Sequence, residues 1–131
     1  METYCLVRPE HLNHHGYLFG GQLLKWVDEF AWLAAAREYP GYMIVTRAMA
    51  DIQFSKRVIN GAILRFEITH SKQGSSSVTY GAVVFASNQL SKSEEIVFST
   101  QVTFVVLDEN GNKVKLPKRE VVLIIGSDSG N

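Results

Sequence analysis

Residues 13–35 read NHHGYLFGGQLLKWVDEFAWLAA and decide how the rest of the chain is arranged. The stretch has a polar loop, a glycine pair at Gly20-Gly21 and a long segment in which apolar residues recur at helical spacing. With about 100° between successive residues, the large apolar side chains form one stripe with a second row beside it. The stripe contains Leu23, Val27, Phe30 and Ala34, and the second row contains Leu24, Ala31 and Ala35.

Asp28 is the unusual residue of this predicted helix. It falls on the row of Leu24 and Ala31 at the edge of the buried stripe, whereas Lys25 and Glu29 fall on the opposite, solvated face. A carboxylate at the edge of an apolar surface is costly unless it is paired or used in chemistry. Asp28 is therefore the first candidate functional residue.

The overall composition is that of an ordinary globular protein, 46% hydrophobic and 20% charged. The 131 residues include 13 basic and 13 acidic side chains, so neither nucleic acid nor a membrane is an expected partner. A single cysteine, Cys5, excludes an intramolecular disulfide and suits a reducing compartment. Because the sequence has neither a signal-peptide pattern nor an apolar run of membrane-spanning length, we expect a cytoplasmic protein.

After Pro40-Gly41 the spacing of apolar residues changes from a period of about 3.6 to a period of about 2, which indicates strands. In the first of these strands, alternation predicts one face made of Ile44, Thr46, Ala48, Ala50, Ile52 and Phe54. The predicted elements are a short strand at Thr3–Arg8, a loop over 9–20, a helix from Gly21 to Glu38, four strands at Met43–Phe54, Ala62–His70, Val78–Ser87 and Ile96–Leu107, and a short apolar segment at Val121–Ile125.

This pattern predicts an α+β fold in which one long helix packs against an antiparallel sheet. We expect a single domain over residues 1–125 and a disordered tail over residues 126–131. The helix is too apolar to be solvated on most of its surface, so the sheet must wrap around it. An exposed face or edge of that sheet is then expected to need a partner chain.

The chain resembles the hotdog-fold acyl-CoA thioesterases, in the branch of the bacterial YciA-type enzymes and the mammalian cytosolic acyl-CoA hydrolases. The resemblance rests on His15-Gly16-x-x-Phe19-Gly20-Gly21, followed seven residues after Gly21 by Asp28. Three later stretches support it, at Asp51–Val58, Gly74–Ser77 and Gln101–Arg119. It implies a central helix wrapped by an antiparallel sheet, homodimers built through a continuous sheet, further assembly to trimers of dimers, and active sites at the dimer interface.

The activity that the resemblance implies is hydrolysis of acyl-CoA thioesters to a free acid and coenzyme A. Asp28 would act as a base on water or as a nucleophile that forms an anhydride, and the residues leave both open. Backbone N–H groups near Gly20 and Gly21 would stabilise the oxyanion, because a helix start presents free donors. The plainer interpretations are a carboxylate favoured by the helix dipole and glycines that permit a tight turn.

The loop before the helix supplies further candidates. By the resemblance, Asn13 orients the water or the carbonyl, although Tyr17 occupies the place where related enzymes can carry such an amide. His14 and His15 are interpreted as loop-shaping or substrate-contacting residues. Neighbouring histidines without further ligands do not predict a metal site, and no other cofactor is expected.

Coenzyme A carries phosphates, so basic residues are expected at its entrance. The candidate contacts are Phe54, Ser55, Lys56 and Arg57 at the end of a strand, and Gly74, Ser75 and Ser76 at the start of another. Each basic pair is alternatively a solvated strand edge. Phe30, Trp26 and Trp32 are core residues or line an acyl tunnel, and Trp32 is also a candidate subunit contact.

Two other functions remain open from the sequence. A hydratase or dehydratase acting on similar thioesters would carry an Asp-x-x-x-x-His spacing. Here the residue five positions after Asp28 is Leu33 and not a histidine, which argues against that function. A non-catalytic acyl-CoA-binding or oligomeric protein of the same fold is the other alternative, and the intact Gly20-Gly21 and Asp28 argue against it.

Overall fold

The computed structural model describes residues 1–117. The predicted segment at Val121–Ile125, the tail over residues 126–131 and the last two residues of the stretch Gln101–Arg119 lie outside the described residues. The elements are β1 (Glu2–Leu6), a short 3-10 helix (Pro9–His11), α1 (Gly20–Glu38), β2 (Met43–Phe54), β3 (Ile63–Gln73), β4 (Ser77–Ser87) and β5 (Glu95–Leu107). These bounds confirm the predicted helix and strands to within a few residues.

The five strands form one antiparallel sheet in the order β1-β3-β4-β5-β2. Strands β3, β4 and β5 follow one another along the chain and across the sheet. Strand β2 instead lies beside β5, so it forms one edge of the sheet, with β1 at the other. This order places the strand that follows the helix at an edge that no other strand among residues 1–117 covers.

The helix packs on the sheet through residues four positions apart. Leu23, Val27, Ala31 and Ala35 are buried, whereas Phe30 and Ala34 of the predicted stripe are only partly buried. The buried face is therefore rotated toward the predicted flanking row. Small alanines at the contact let the helix approach the sheet closely, and the aromatic rings of Phe66, Phe98 and Phe104 fill the core beneath it.

Strand β2 does not alternate as predicted, because a β-bulge interrupts its pairing with β5. The register shifts between Thr46 and Ala48, so that Arg47 is an extra residue. One extra residue reverses the faces of the residues that follow it. Met49 consequently packs against the core, whereas Ala48 and Ala50, which were predicted on the same face as Thr46, are exposed.

A second irregularity in β2 lies between Ala50 and Gln53. Within it Asp51 has a φ of 54°, in the left-handed region that residues other than glycine seldom adopt. This irregularity shifts the register by one residue again. Phe54 therefore returns to the predicted face, where its ring lies 4.9 Å from that of the buried Phe98.

No helix within the described residues is long and apolar enough to cross a membrane.

Candidate active site

The carboxylate of Asp28 is joined to strand β2. The hydroxyl of Thr46 donates a hydrogen bond of 2.6 Å to Oδ1 of Asp28, and Asp28 itself is half-buried. Thr46 is a site residue that the sequence analysis missed, because nothing in local spacing relates a strand threonine to a helix position 18 residues earlier. The bond engages one of the two carboxylate oxygens.

The same helix holds β2 at a second point one turn further along. Nε1 of Trp32 donates a hydrogen bond of 2.8 Å to the carbonyl oxygen of Ile44. Trp32 keeps 40% of its surface exposed, and Met43, Val45 and Ile52 on β2 are exposed as well. An apolar surface therefore surrounds the strand edge beside Asp28. A role for Trp32 in a subunit contact remains a prediction.

A cavity of about 600 Å³ opens at the N-terminal end of α1. The polar residues that line it are Asn13, His15, Tyr17, Ser55, Lys56 and Arg57, and the remaining lining residues are Leu18, Gly20, Leu23, Phe54 and Val58. Eight of the candidate residues from the sequence thus lie around one cavity: Asn13, His15, Tyr17, Gly20, Phe54, Ser55, Lys56 and Arg57.

The loop wall of this cavity is organised by Asn13. Its Oδ1 accepts hydrogen bonds from the backbone N–H of His15 at 2.9 Å and of Tyr17 at 3.2 Å. Gly16 completes the turn with a φ of 85°, a conformation that disfavours residues with a Cβ. The side-chain oxygen of Asn13 therefore shapes the loop.

The start of the helix presents backbone donors to the cavity. Gln22 donates its N–H to the carbonyl oxygen of Phe19, whereas the N–H groups of Gly20 and Gly21 have no backbone acceptor among residues 1–117. A Cβ at Gly20 would lie 3.3 Å from the ring of Phe54, so a side chain there would crowd the aromatic wall. The N–H of Gly20 is therefore a donor without a backbone partner in the described residues, beside the aromatic wall of the cavity.

The basic residues of the cavity have different partners. Nζ of Lys56 lies 2.8 Å from Oε2 of Glu95, at the start of β5. The guanidinium of Arg57 lies over the ring of Tyr17, 5.0 Å from its centroid, and is 3.5 Å from the tyrosine hydroxyl. Both side chains are exposed to solvent, and Lys56 differs from Arg57 in being paired with a carboxylate.

Other candidate residues do not line this cavity. Gly74, Ser75 and Ser76 form the β3–β4 turn, where their backbone groups bond to Ser77, Leu116 and Val106. His14 is exposed, and the centroid of its ring lies 3.9 Å from that of His15 with the two ring planes tilted by 42°. No cluster of three or more metal-ligating side chains occurs within the described part of the chain.

Asp28 and Gly21 also lie outside the cavity lining. Asp28 follows Gly20 by eight residues of continuous helix, which corresponds to roughly 12 Å along the axis. A single thioester carbonyl would need to lie about 3 Å from both an oxyanion donor and a nucleophile. The two groups of one protomer are too far apart to act on the same carbonyl.

Comparison with known proteins identifies the family of the chain. The family described as the thioesterase superfamily matches residues 15–92. The chain is 37% identical over 111 residues to acyl-coenzyme A thioesterase 11 of Mus musculus, which covers 85% of this chain and 18% of that protein.

Two solved structures share the fold. One is an acyl-CoA hydrolase from Staphylococcus aureus in complex with butyryl coenzyme A, coenzyme A and coenzyme A disulfide, with a TM-score of 0.82 at 27% identity over 89% of this chain and 71% of that one. The other is a hexameric thioesterase from Yersinia pestis, with a TM-score of 0.81 at 26% identity over 88% of this chain and 93% of that one.

The chain belongs to the thioesterase superfamily and has the hotdog fold. It spans between 18% and 65% of the length of the curated relatives that it matches.

Proposed function

We propose that this chain is an acyl-CoA thioesterase that hydrolyses acyl-CoA to a free acid and coenzyme A. In this proposal the coenzyme A thioester is the substrate and the reaction uses no cofactor. The observation that carries the proposal is the half-buried Asp28 held by Thr46 beside an open strand edge. Membership of the thioesterase superfamily supports it, as does the similarity to acyl-CoA hydrolases.

In the proposed reaction, the free oxygen of Asp28 acts on the thioester carbonyl carbon, directly or through water. In the water route, the carboxylate accepts a proton while the new C–O bond forms, the oxyanion is held by the N–H of Gly20, and the C–S bond then breaks. The proton leaves with coenzyme A as the thiol. In the direct route, the carboxylate oxygen bonds to the carbonyl carbon and the C–S bond breaks, which gives a mixed anhydride and the coenzyme A thiolate. Water then hydrolyses the anhydride, restores the carboxylate of Asp28 and supplies the proton of the thiol.

The distance between Asp28 and Gly20 leads us to a shared active site. We infer that Asp28 of one protomer acts at the cavity of its partner, where Gly20 and Asn13 bind the carbonyl. A homodimer joined along the open edge of β2 would bring Asp28 and Thr46 of each protomer to that interface. Exposed apolar residues on β2 give such a pairing its hydrophobic area.

The cavity at the helix start is proposed to hold the coenzyme A portion. Lys56 and Arg57 would bind phosphates, with Ser55, Tyr17 and His15 along the path and Phe54 against the thioester. His14 is not in the lining of this cavity but is next to residues that are, and Gly74, Ser75 and Ser76 would contact coenzyme A across a subunit boundary.

The assembly we propose is a homodimer that associates into a trimer of dimers in the cytoplasm. The hexameric state of the Yersinia pestis thioesterase supports the larger assembly. We further propose that residues 1–125 form the whole domain.

The test is thiol release from acyl-CoA substrates of graded chain length, with Asp28→Asn beside the native protein. We expect the variant to remain folded and to lose at least about 10²-fold in turnover, because the amide cannot act as a base. Glu29→Gln, a neutralisation on the exposed side of the same helix, is the matched control and should stay active. No thiol release by the folded native protein would favour the non-catalytic binding function.

Shared active sites are tested by complementation. A protein with Lys56→Ala and Arg57→Ala is co-expressed with one carrying Asp28→Asn, using two affinity tags. A heterodimer then has one site with both defects and one with none, so a statistical mixture should recover about one quarter of the native activity. Recovery no greater than the sum of the two parents would place Asp28 and the cavity of one protomer in the same site.

A further inference from the structure

We propose that Glu95 sets the affinity for coenzyme A by competing with a ligand phosphate for Lys56. The inference rests on the proposed function, because it takes the cavity at the helix start as the coenzyme A site. Glu95 is then a specificity-determining residue that touches no reacting atom. Its carboxylate occupies the place on Lys56 that a phosphate takes when the ligand binds.

The ion pair stands between two neighbouring cavities. Lys56 lines the cavity at the helix start, and Glu95 lines a second cavity of about 290 Å³ on the other side. Arg57 and Val58 line both. The Lys56–Glu95 contact of 2.8 Å therefore joins residues of the two cavities, and opening it frees the ammonium group of Lys56 at the first.

The pair is open to solvent and can be exchanged. The side chains of Lys56 and Glu95 are 57% and 55% exposed. Solvent screens the attraction between two such charges, so their mutual stabilisation is small. A phosphate group carries more negative charge than one carboxylate and can displace it at little cost.

The adjacent Glu94 differs in this respect. Its carboxylate accepts three hydrogen bonds, of 2.9 to 3.2 Å, from the guanidinium of Arg65. The side chain of Arg65 is only 17% exposed and also bonds to Glu2 and Glu67. Arg65 therefore holds the carboxylate of Glu94 in place. The carboxylate of Glu95, in contrast, can be replaced by a phosphate as the partner of Lys56.

Arg57 lacks a corresponding competitor. Within the described residues no carboxylate forms an ion pair with it, and it rests on the ring of Tyr17. The cavity therefore offers one cation that is already accessible and one that is released when ligand arrives. This difference makes the affinity depend on Glu95 through Lys56 alone.

The test is titration calorimetry of coenzyme A with the native oligomer, Glu95→Gln, Lys56→Met and the double variant. Glu95→Gln should bind coenzyme A about two- to fivefold more tightly, which is the range expected for releasing an exposed ion pair. Its affinity should also fall more steeply with added salt. In the Lys56→Met background, Glu95→Gln should have no effect.

Two controls separate this role from a general charge effect. Glu109→Gln makes the same change in net charge beyond the far end of β5 and should leave the affinity unchanged. Hydrolysis of an acyl-N-acetylcysteamine thioester, which lacks phosphates, should be equal in Glu95→Gln and the native protein. An equal gain in affinity with and without Lys56, or no gain at all, would overturn the inference while leaving the thioesterase proposal intact. Failure of the native protein to bind any coenzyme A would overturn both.

Discussion

The hydroxyl of Thr46 donates a 2.6 Å hydrogen bond to the carboxylate of Asp28, and this contact joins the central helix to the edge strand of the sheet. A hydroxyl that donates to one carboxylate oxygen restricts the rotation of the carboxyl group. The remaining oxygen then has a defined direction, as a base or nucleophile requires. Thr46 is on this basis a positioning residue for Asp28.

Replacing Thr46 by Val should lower kcat about tenfold and change KM little, because it removes the hydrogen bond while nearly preserving shape. Thr46→Ser keeps the hydroxyl and should retain most of the activity. The comparison is made by steady-state thiol release over a range of pH. Equal activity of the Val and Ser variants would show that the hydrogen bond does not contribute to turnover.

Replacing Lys56 and Arg57 together by Ala should weaken coenzyme A binding by about tenfold or more, since each loss removes a charge-assisted contact to phosphate. The remaining affinity should depend less on salt than that of the native protein. Titration calorimetry at two ionic strengths measures both effects. An unchanged affinity would move the nucleotide site elsewhere on the protein.

Charges placed on the apolar edge strand should weaken self-association. Val45→Lys and Ile52→Lys each put an ammonium group where an exposed apolar residue now lies on β2, so the pairing edge becomes repulsive. Leu90→Lys is the matched control, because Leu90 is 95% exposed in the β4–β5 loop. Sedimentation velocity should show smaller species for the β2 variants only.

The same β2 variants should lose thioesterase activity in proportion to the loss of dimer. Full activity in a sample that sediments as monomer would contradict the shared active site. Intact assembly in both variants would place the interface on another surface.

The thiol of Cys5 should react slowly in the folded protein. Burial against the core raises its pKa, and the nearby carboxylate of Glu29 raises it further. The raised pKa favours the protonated thiol, which is the unreactive form, at neutral pH. Alkylation by iodoacetamide should therefore be several-fold slower in buffer than in urea. Glu29→Gln should speed it slightly, and equal rates in buffer and urea would contradict the packing of β1.

The helix and the strands of this fold could be predicted from the sequence because local periodicity determines them. The helix ends where Pro40-Gly41 stops it, and the strands end at turn residues such as Asp108. The two shifts in the pairing register of β2 could not be predicted, because no local pattern around Arg47 or Asp51 indicates an extra residue. Their positions depend on how β2 fits against β5.

The candidate site was predicted in part for the same reason. Asp28 and Gly20 belong to a continuous helix, so their spacing follows from the sequence. Thr46 and Glu95 enter the site through the position of β2 beside β5, a pairing between segments far apart in the chain. The sequence pattern carries no signal for that pairing. The separation between Asp28 and Gly20 follows from helix geometry alone, so it can be predicted from the sequence.

The strand order also has a consequence for folding. During synthesis β2 leaves the ribosome before β3, β4 and β5, yet its partner strand among residues 1–117 is β5, the last of the strands described. The β3–β4–β5 hairpins have local contacts and can form early, whereas β2 can pair only after the distant strand β5 has been synthesised. An apolar strand with both edges unpaired is prone to aggregate during that interval. Chaperone dependence and the yield of soluble protein should therefore respond more to changes in β2 than to changes in the central strands.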